Sequence, residues 1–384
     1  MENIEKLFKS NSKRKVFVKI EKSAVIYRNK STAFSGETIN EVITFVNSVH
    51  IRYGSIRVPI IFEFGEVLIA DKLSYVIFEC ICYYLIKKYH HRVYVYWKPE
   101  DDILTQGVFS SPLLLLNTTD NQKAKMYLNR FEMDIYGNHF RRLIRGERIR
   151  ESNYLGNLFK ELDSFMKAFD IVEDYRDQVS EVISELVGNA CEHGKSDCLV
   201  DIDITNDHIK EEHEIKQEGQ FYGINIVVLN FSDYLLGDGI KAKLDINIID
   251  NERYNAVKRA FFYHKKFFDS NYTEEDFYNI TALQDKISGR LEYDMAGGTG
   301  LTKLIKALQD KADRDTCYMI SGSRSVFFKR NYIEYDDDDW LGFNKSKNYL
   351  TSIPEKNITT DCLIFFPGTA YNLNFIMKRE SKNE

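Results

Sequence analysis

Residues 185–193 read Glu-Leu-Val-Gly-Asn-Ala-Cys-Glu-His and end a stretch with the periodicity of an amphipathic helix. Apolar side chains recur along one side of this predicted helix: Val179, Val182, Ile183, Leu186 and Val187. Glu185 and Asn189 stand four residues apart, so they project from the same polar side. Glu192 and His193 continue that side one turn later. We therefore expect a helix that buries its apolar side and presents a carboxylate and an amide together.

A glutamate beside an asparagine suits a hydrated hard cation and a water molecule. The amide oxygen of Asn189 can ligate Mg²⁺, which accepts oxygen ligands and keeps several waters. The carboxylate of Glu185 can act as a general base toward an attacking water. Both residue types are also common on solvent-exposed helix faces, so a purely structural role is the alternative for this stretch.

A second informative stretch, residues 296–301, reads Ala-Gly-Gly-Thr-Gly-Leu. It precedes a predicted helix that keeps its apolar residues on one side: Leu301, Leu304, Ile305 and Leu308. Glycines let the backbone approach an anion closely, and the unpaired N–H groups of a helix start attract phosphate. A tight connection between two elements is the alternative interpretation.

In this order, with strand patterns between them, the two stretches resemble the GHKL ATPase superfamily, which includes gyrase-type topoisomerases, heat-shock chaperones, histidine kinases and mismatch-repair ATPases. The resemblance covers residues 153–378 and implies a Bergerat-type two-layer α/β sandwich that binds ATP with Mg²⁺. It implies that Glu185 is the catalytic general base and that Asn189 ligates the metal. The residues implied to bind nucleotide are Asn189, Glu192, His193, Asn230, Ser232, Gly297, Gly298, Thr299, Gly300, Leu301 and Thr369.

One position departs from the family pattern. Family members carry Asp-x-Gly-x-Gly where this chain has Asn230-Phe-Ser232, and the family Asp reads the adenine amino group. Asn230 can accept from that group through its side-chain oxygen, but without the charge that strengthens the bond. Asp233 is an alternative reader. The departure bears on adenine selectivity more than on the fold.

The resemblance also implies a nucleotide lid at about residues 239–295, which are aromatic and cationic. Arg290 and Lys303 are the candidates for a contact with the γ-phosphate when the lid closes. Near the chain end, Pro367-Gly-Thr369 precedes an alternating strand pattern and resembles the Gly-Thr segment that helps to hold adenine.

The residues before this region predict further organisation. Residues 1–118 alternate strand and helix patterns, which favours a small α/β domain with a mixed sheet. Residues 119–152 are polar and basic, with Arg141 and Arg142 among a late arginine cluster, and we expect a basic helical connector with a solvated face. Residues 153–384 would form the GHKL ATP-binding domain, so the whole chain is expected to be α/β (α+β).

The first domain resembles a STAS domain, a small α/β module often paired with GHKL kinases in bacterial regulation. Its predicted strand at 58–64 leads to Asp71 and Lys72, where such modules place an Asp-Ser before a helix. Lys72 stands in place of the serine, so this position cannot accept phosphate. An unrelated small α/β domain is the alternative.

Composition limits the setting. The chain has 384 residues with a net charge of -6. This overall charge does not point to a nucleic-acid partner, but it is compatible with a local basic patch. The N-terminus lacks the apolar core of a signal peptide, and the apolar run 73–86 is shorter than the ~20 residues that span a bilayer. Six cysteines without CxxC spacing favour a reducing environment. We therefore expect a cytoplasmic protein without a membrane segment.

Three functions fit these features. The first is a regulatory ATPase whose slow ATP hydrolysis and lid closure control a protein partner, with a homodimer left open. The second is a serine/threonine kinase similar to bacterial anti-sigma kinases, distinguished by phosphate transfer to a protein. The third is a non-catalytic nucleotide-dependent interaction module, against which the retained Glu185 argues. Histidine autophosphorylation is disfavoured because His139, the one plausible upstream acceptor, lies only 50 residues before Asn189.

Overall fold

The structure of the chain, a computed structural model, combines helices and strands and confirms the mixed α/β class. Two large sheets carry the fold, and helices lie between them and over one outer face. The residues that the structure describes are 1–54, 56–69, 71–97, 111–150, 153–192, 194–208, 211–212, 215–216, 221–245, 252–287, 300–312 and 316–380.

The first part of the chain forms a four-stranded sheet in the order β1-β2-β4-β6. Strands β2, β4 and β6 are parallel, and β1 pairs antiparallel at one edge. Strands β3 and β5 form a separate parallel pair. The strands are β1 (Ile20–Glu21), β2 (Ala24–Arg28), β3 (Ala33–Phe34), β4 (Ile60–Gly65), β5 (Leu68–Ile69) and β6 (Val93–Trp97).

Three helices accompany this sheet: α1 (Glu5–Ser10), α2 (Gly36–Tyr53) and α3 (Lys72–Lys87). Helix α2 is amphipathic, as the spacing of Ile39, Val42, Ile43 and Val46 indicates, and the hydroxyl of Ser35 caps its start. The carboxylate of Asp71 accepts from the backbone N–H of Ser74, at 2.7 Å, and caps α3. Almost every side chain of α3 is buried, which explains why the run 73–86 lacks a polar side.

The second sheet has six strands in the order β13-β14-β12-β9-β8-β7, and every neighbouring pair is antiparallel. A short hairpin of β10 (Glu211–Glu212) and β11 (Ile215–Lys216) follows β9. The six strands are β7 (Met133–Tyr136), β8 (His139–Ile144), β9 (Cys198–His208), β12 (Phe221–Phe231), β13 (Tyr318–Phe327) and β14 (Thr359–Lys378).

Both faces of the six-stranded sheet are buried. Helices α5 (Tyr154–Lys167), α6 (Glu173–Glu192) and α10 (Gly300–Lys311) cover one face, where Val200 packs into the core. Helices α1, α2 and α3 lie against the other face, where Leu199 packs into a second core. Successive residues of β9 thus enter opposite cores, as the pleat of a strand requires.

The expected helical connector at 119–152 is wrong beyond its first part. Only α4 (Asn121–Glu132) is helical, and the hairpin β7–β8 then extends the six-stranded sheet. The residues of β8 are largely buried between the sheet's covering layers. We call residues 1–132 the N-terminal layer, because the second sheet begins at Met133 and not at 153.

Three further segments differ from what their local patterns favour. Residues Pro112–Leu116 have an apolar run that favours a strand, but they form a 3-10 helix capped by Ser111. Residues 316–329 and 361–377 each carry the patterns of two short strands, but they form the single strands β13 and β14. The pairing register shifts around Gly322, whose φ of +65° suits a bulge, so one long strand carries two separate apolar patterns.

The segment after β12 is helical, with α7 (Asp238–Asp245), α8 (Glu252–His264) and α9 (Glu274–Thr281). Helices α8 and α9 pack on residues 328–358 through a cluster of buried aromatic side chains. In the described part of the chain, no helix has the length and apolar character needed to cross a membrane.

Candidate functional site

Helix α6 holds the two residues on which the magnesium prediction rests. Leu186, Val187 and their apolar neighbours are buried against the sheet. Glu185 and Asn189 are half-buried on the other side of the helix. Within the described part of the chain, neither side chain makes a hydrogen bond or an ion pair. A half-buried carboxylate and amide are therefore available to a ligand.

Helix α10 packs along α6 in the antiparallel direction. Near the end of α10, the ammonium of Lys311 donates to the amide oxygen of Gln178 and lies 4.4 Å from the ring centre of Tyr175. Near its start, Lys303 forms an ion pair with Glu181. The chain direction of α10 is thus opposite to that of α6.

This direction determines where α10 begins. Glu185 lies one turn beyond Glu181, and Gly300 lies about one turn before Lys303. The start of α10 therefore lies at the level of Glu185, near the Asn189 end of α6. The first N–H groups of α10, which have no partner within the helix itself, therefore lie at the level of the glutamate–asparagine pair.

The strand ends of the six-stranded sheet next to the end of α6 hold a second group of predicted residues. The amide nitrogen of Asn230 donates to the hydroxyl of Ser196 at 2.9 Å, and its amide oxygen accepts from the backbone N–H of Thr369 at 3.2 Å. The hydroxyl of Ser232 donates to the carbonyl of Gly194 at 2.5 Å. Asn230 therefore joins three segments of chain, and a base would have to share its oxygen with Thr369.

Residue Gly368 allows this close approach. Its backbone φ of +108° lies in a region that residues other than glycine rarely adopt. A Cβ atom here would fall 2.9 Å from the backbone nitrogen of Ser232 and still closer to the carbonyl of Asn230. The hydroxyl of Ser321 donates to the Gly368 carbonyl at 2.8 Å. The segment 367–369 is therefore pressed against the end of β12.

The structure thus brings some of the predicted residues together and leaves others apart. Asn230, Ser232 and Thr369 are neighbours, and Gly300 and Leu301 open α10. Leu301 packs against the core, and Glu192 is exposed at the end of α6. Lys303 is ion-paired with Glu181. The remaining predictions lie outside the described residues: His193, Arg290, Gly297, Gly298 and Thr299.

Much of the predicted lid is fixed to another segment of the chain. The guanidinium of Arg253 lies 4.1 Å from the ring centre of Trp340 and donates to the carbonyl of Asp285 at 2.6 Å. The ring of His264 donates to the carbonyl of Tyr349 at 2.8 Å, and burial lowers its pKa. Residues 252–287 are therefore fixed to 328–358, and His264 is neutral and unavailable to phosphate.

A buried ionic cluster was missed by the sequence analysis. It joins α3 to strands β8 and β9, and its members are Lys72, Glu79, His139, Arg141, Asp201 and Asp203. The Lys72 ammonium lies 2.6 Å from the Asp201 carboxylate and also pairs with Asp203. The imidazole of His139 lies 2.9 Å from Asp203. His139 is only 1% exposed, so it is not accessible to a phosphoryl donor.

The second half of the cluster is formed by Arg141, which the sequence analysis placed on a solvated helix face. Arg141 is buried and pairs with both Glu79 and Asp201. Desolvation raises the pKa of Glu79, whereas the two cations beside Asp201 hold the pKa of that carboxyl well below its usual range. The sequence signal is the alternation His139-x-Arg141 and Asp201-x-Asp203, because these residues are direct cross-strand partners.

The triad of His139, Asp201 and Asp203 has the donor types of a metal site. However, the ammonium of Lys72 already pairs with both carboxylates, and Arg141 also pairs with Asp201, so the two cations offset the charge of the two carboxylates. The cluster is therefore an internal ion-pair network. An open groove of about 400 Å³ lies elsewhere, between α8 and residues 344–355, and none of the predicted site residues lines it.

All six cysteines are free thiols, and five of them are buried.

Comparison with known proteins finds no family model, no curated protein and no solved structure that matches this chain. The functional proposal therefore rests on the arrangement of α6, α10 and the end of the six-stranded sheet.

Proposed function

We propose that this chain binds ATP with Mg²⁺ and hydrolyses it slowly, as a regulatory ATPase of the GHKL type. The observation that carries the proposal is the antiparallel packing of α10 on α6, which sets a glycine-led helix start at the level of Glu185. Backbone N–H groups at a helix start bind phosphate. The glutamate and asparagine beside them supply the remaining groups that hydrolysis requires.

The residues present fit a metal–phosphate ligand. Glu185 and Asn189 are half-buried with no partner in the described part of the chain, although burying a polar group without a hydrogen bond costs free energy. A ligand that supplies the missing partners would offset this cost. Bound Mg²⁺ would neutralise phosphate charge, with the Asn189 oxygen as one of its ligands.

In this proposal Glu185 is the general base. Its carboxylate can accept a proton from a water molecule held between it and the start of α10. Asn230 supports the site indirectly, because its two hydrogen bonds hold Ser196 and Thr369 at the adjoining end of the sheet. Because Asn230 already makes these two hydrogen bonds, its contact with adenine would be weaker than that of a free carboxylate.

A regulatory role is supported by the layer arrangement. The sheet that carries Asn230 has α6 on one face and the N-terminal layer on the other. A structural change at the nucleotide end of the sheet would therefore reach the N-terminal layer directly. Gating of this kind requires only that ATP favour one of two states by a few kcal/mol.

The first experiment is calorimetric titration of the whole chain with Mg·ATP. We expect wild type to bind, Asn189→Ala to lose binding, and Asn157→Ala, an exposed asparagine of α5, to bind as wild type does. Failure of wild type to bind millimolar Mg·ATP would contradict the proposal.

The second experiment follows phosphate release. We expect Glu185→Gln to keep ATP binding and to lose release, whereas Glu161→Gln, an exposed glutamate of α5, keeps both. Transfer of the γ-phosphate to a protein instead of to water would favour the kinase alternative. Equal release by Glu185→Gln and wild type would remove Glu185 from the reaction.

A further inference from the structure

One end of the N-terminal layer exposes a group of apolar side chains. Most apolar residues of this layer are buried, yet five large ones near the end of α2 are not. Their exposed fractions are 49% for Val16, 78% for Phe17, 48% for Ile20, 59% for Ile51 and 63% for Ile56. Exposure of several large aliphatic and aromatic side chains in one place is typical of an interaction surface.

Contacts with the last turns of α2 place Val16, Phe17 and Ile56 at one end of the layer. Ile51 lies on those turns, and Ile20 begins β1 three residues after Phe17. The backbone N–H of Val16 donates to the hydroxyl of Ser48 on α2, at 2.9 Å. One turn later on α2, the guanidinium of Arg52 lies 5.0 Å from the ring centre of Phe17. The backbone N–H of Ile56 donates to the carbonyl of Tyr53, at 3.1 Å, so the turn after α2 stays at the same end.

The same surface is strongly basic. Five exposed cations flank the apolar side chains: Lys13, Arg14, Lys15, Arg52 and Arg57. Within the described part of the chain, Lys13, Arg14, Lys15 and Arg57 have no acidic partner. This concentration of positive charge stands against a net charge of -6 for the whole chain. We call these cations and the five apolar residues the basic apolar patch.

We propose that the basic apolar patch docks the protein on an anionic lipid bilayer. Clustered lysines and arginines are attracted to the negative surface of such a bilayer. Exposed Val, Ile and Phe side chains can enter the boundary between headgroups and acyl chains, as apolar side chains of interfacial segments do. A nucleic acid would use the cations but has little use for three exposed isoleucines and a valine, since its bases are bound by stacking on aromatic rings.

This docking is peripheral and does not depend on the ATPase activity. The patch lies on the N-terminal layer, and the glutamate–asparagine pair lies on α6, on the opposite face of the six-stranded sheet. A failed nucleotide experiment therefore leaves the lipid proposal standing, and a failed lipid experiment leaves the ATPase proposal standing.

The test is flotation of the purified whole chain with vesicles of phosphatidylcholine alone or mixed with phosphatidylserine. We expect binding only to the mixed vesicles and a loss of binding at high salt. Replacing the three clustered cations, as Lys13→Glu, Arg14→Glu and Lys15→Glu together, should weaken binding about a hundredfold, taking about fivefold per cation. Phe17→Ser should weaken it about tenfold.

Matched controls carry the same chemical changes elsewhere. Lys123→Glu, Lys125→Glu and Lys160→Glu together reverse three exposed lysines, and Leu363→Ser replaces a 64% exposed leucine. All variants change exposed residues, so thermal unfolding should show that they remain folded. The proposal is wrong if wild type does not bind the anionic vesicles or if patch and control variants bind equally. Binding to an RNA or DNA oligonucleotide without vesicle binding would also overturn it.

Discussion

Asn230 is the side chain on which the end of the sheet depends. Asn230→Ala removes the acceptor for the partly buried backbone N–H of Thr369 and the donor to Ser196. We expect a loss of about 2–3 kcal/mol in the free energy of unfolding, measured by urea denaturation. Asn230→Asp keeps the acceptor and should lose about half as much. A change below about 0.5 kcal/mol for Asn230→Ala would show that these bonds contribute little.

Gly368 is the second sensitive residue, because its backbone conformation and its neighbours both exclude a side chain. In Gly368→Ala the new methyl group would meet backbone atoms of Asn230 and Ser232, which cannot move aside without breaking the sheet. We expect a destabilisation of more than about 2 kcal/mol by urea denaturation. Gly36→Ala is the control, since nothing lies within 4 Å of a Cβ at that position and φ is ordinary. An equal effect of the two substitutions would contradict the steric argument.

At the level of elements, the buried ionic cluster fixes how α3 lies on the sheet. Lys72 and Glu79 are seven residues apart on α3, and they have opposite charges that meet opposite charges on β8 and β9. A helix shifted by about two turns would place Glu79 beside Asp201 and Asp203, and such pairing of like charges is costly in a buried setting. The cluster therefore specifies one register, while the apolar contacts supply most of the attraction.

Removing one partner tests this account. Lys72→Met leaves the carboxylates of Asp201 and Asp203 without their ammonium, so we expect a loss of about 3–5 kcal/mol in the free energy of unfolding. Lys87→Met changes a lysine of the same helix that is 57% exposed and pairs with Glu132 at 3.5 Å, and it should cost less than about 1 kcal/mol. Denaturant unfolding of both variants gives the comparison. Similar losses would mean that the buried pair has no special weight.

At the level of the whole molecule, the two sheets share their central helices and should unfold together. A fragment of residues 153–384 lacks β7, β8 and the N-terminal layer, so it exposes a row of apolar side chains on one sheet face: Leu199, Val227, Leu229, Phe231 and Phe366. We expect this fragment to be insoluble or to lack a cooperative unfolding transition, whereas the whole chain shows a single one. Co-expression of 1–152 with 153–384 should restore solubility. A stable, monomeric fragment 153–384 would show that the layers are independent.

The response to acid should also be a property of the whole fold. Burial lowers the pKa of His91 and His264 and that of His50 to about 4, so these rings take up protons more readily in the unfolded chain. Stability contributed by the neutral rings is present above the unfolded pKa of about 6.5 and is lost as the pH falls through the folded pKa. For His50 the loss is about 3 kcal/mol by pH 4.

Urea unfolding between pH 7.5 and 4 checks this expectation. His50→Gln should flatten the dependence of the unfolding free energy on pH, whereas His90→Gln, at an exposed histidine, should leave its slope unchanged. An unfolding free energy that stays constant over this range would contradict the assignment of neutral buried histidines.

Much of the local structure could be predicted from the sequence. Helix α2, strand β4 and the helix that carries Glu185 follow from periodicity, because each buries one regular set of apolar residues. The hairpin β7–β8 could not be predicted, since its charged residues resemble a solvated surface. Arg141 is buried only because Glu79 and Asp201 reach it from other elements. The sequence likewise indicated Asn230 and Thr369, but it indicated neither the hydrogen bond between them nor the partner Ser196.

The sequence by itself determined most of the helices and strands, with the hairpin β7–β8 as an exception, and it indicated which residue types could offer metal, phosphate and proton-transfer chemistry, because these properties depend on near neighbours in the chain. The tertiary structure alone decided that α10 runs antiparallel to α6, that Lys72 pairs with Asp201 and Asp203, and that the N-terminal layer covers one face of the six-stranded sheet. These features join residues more than a hundred positions apart. Their energies come from burial and from pairing of charges that meet only in the folded chain.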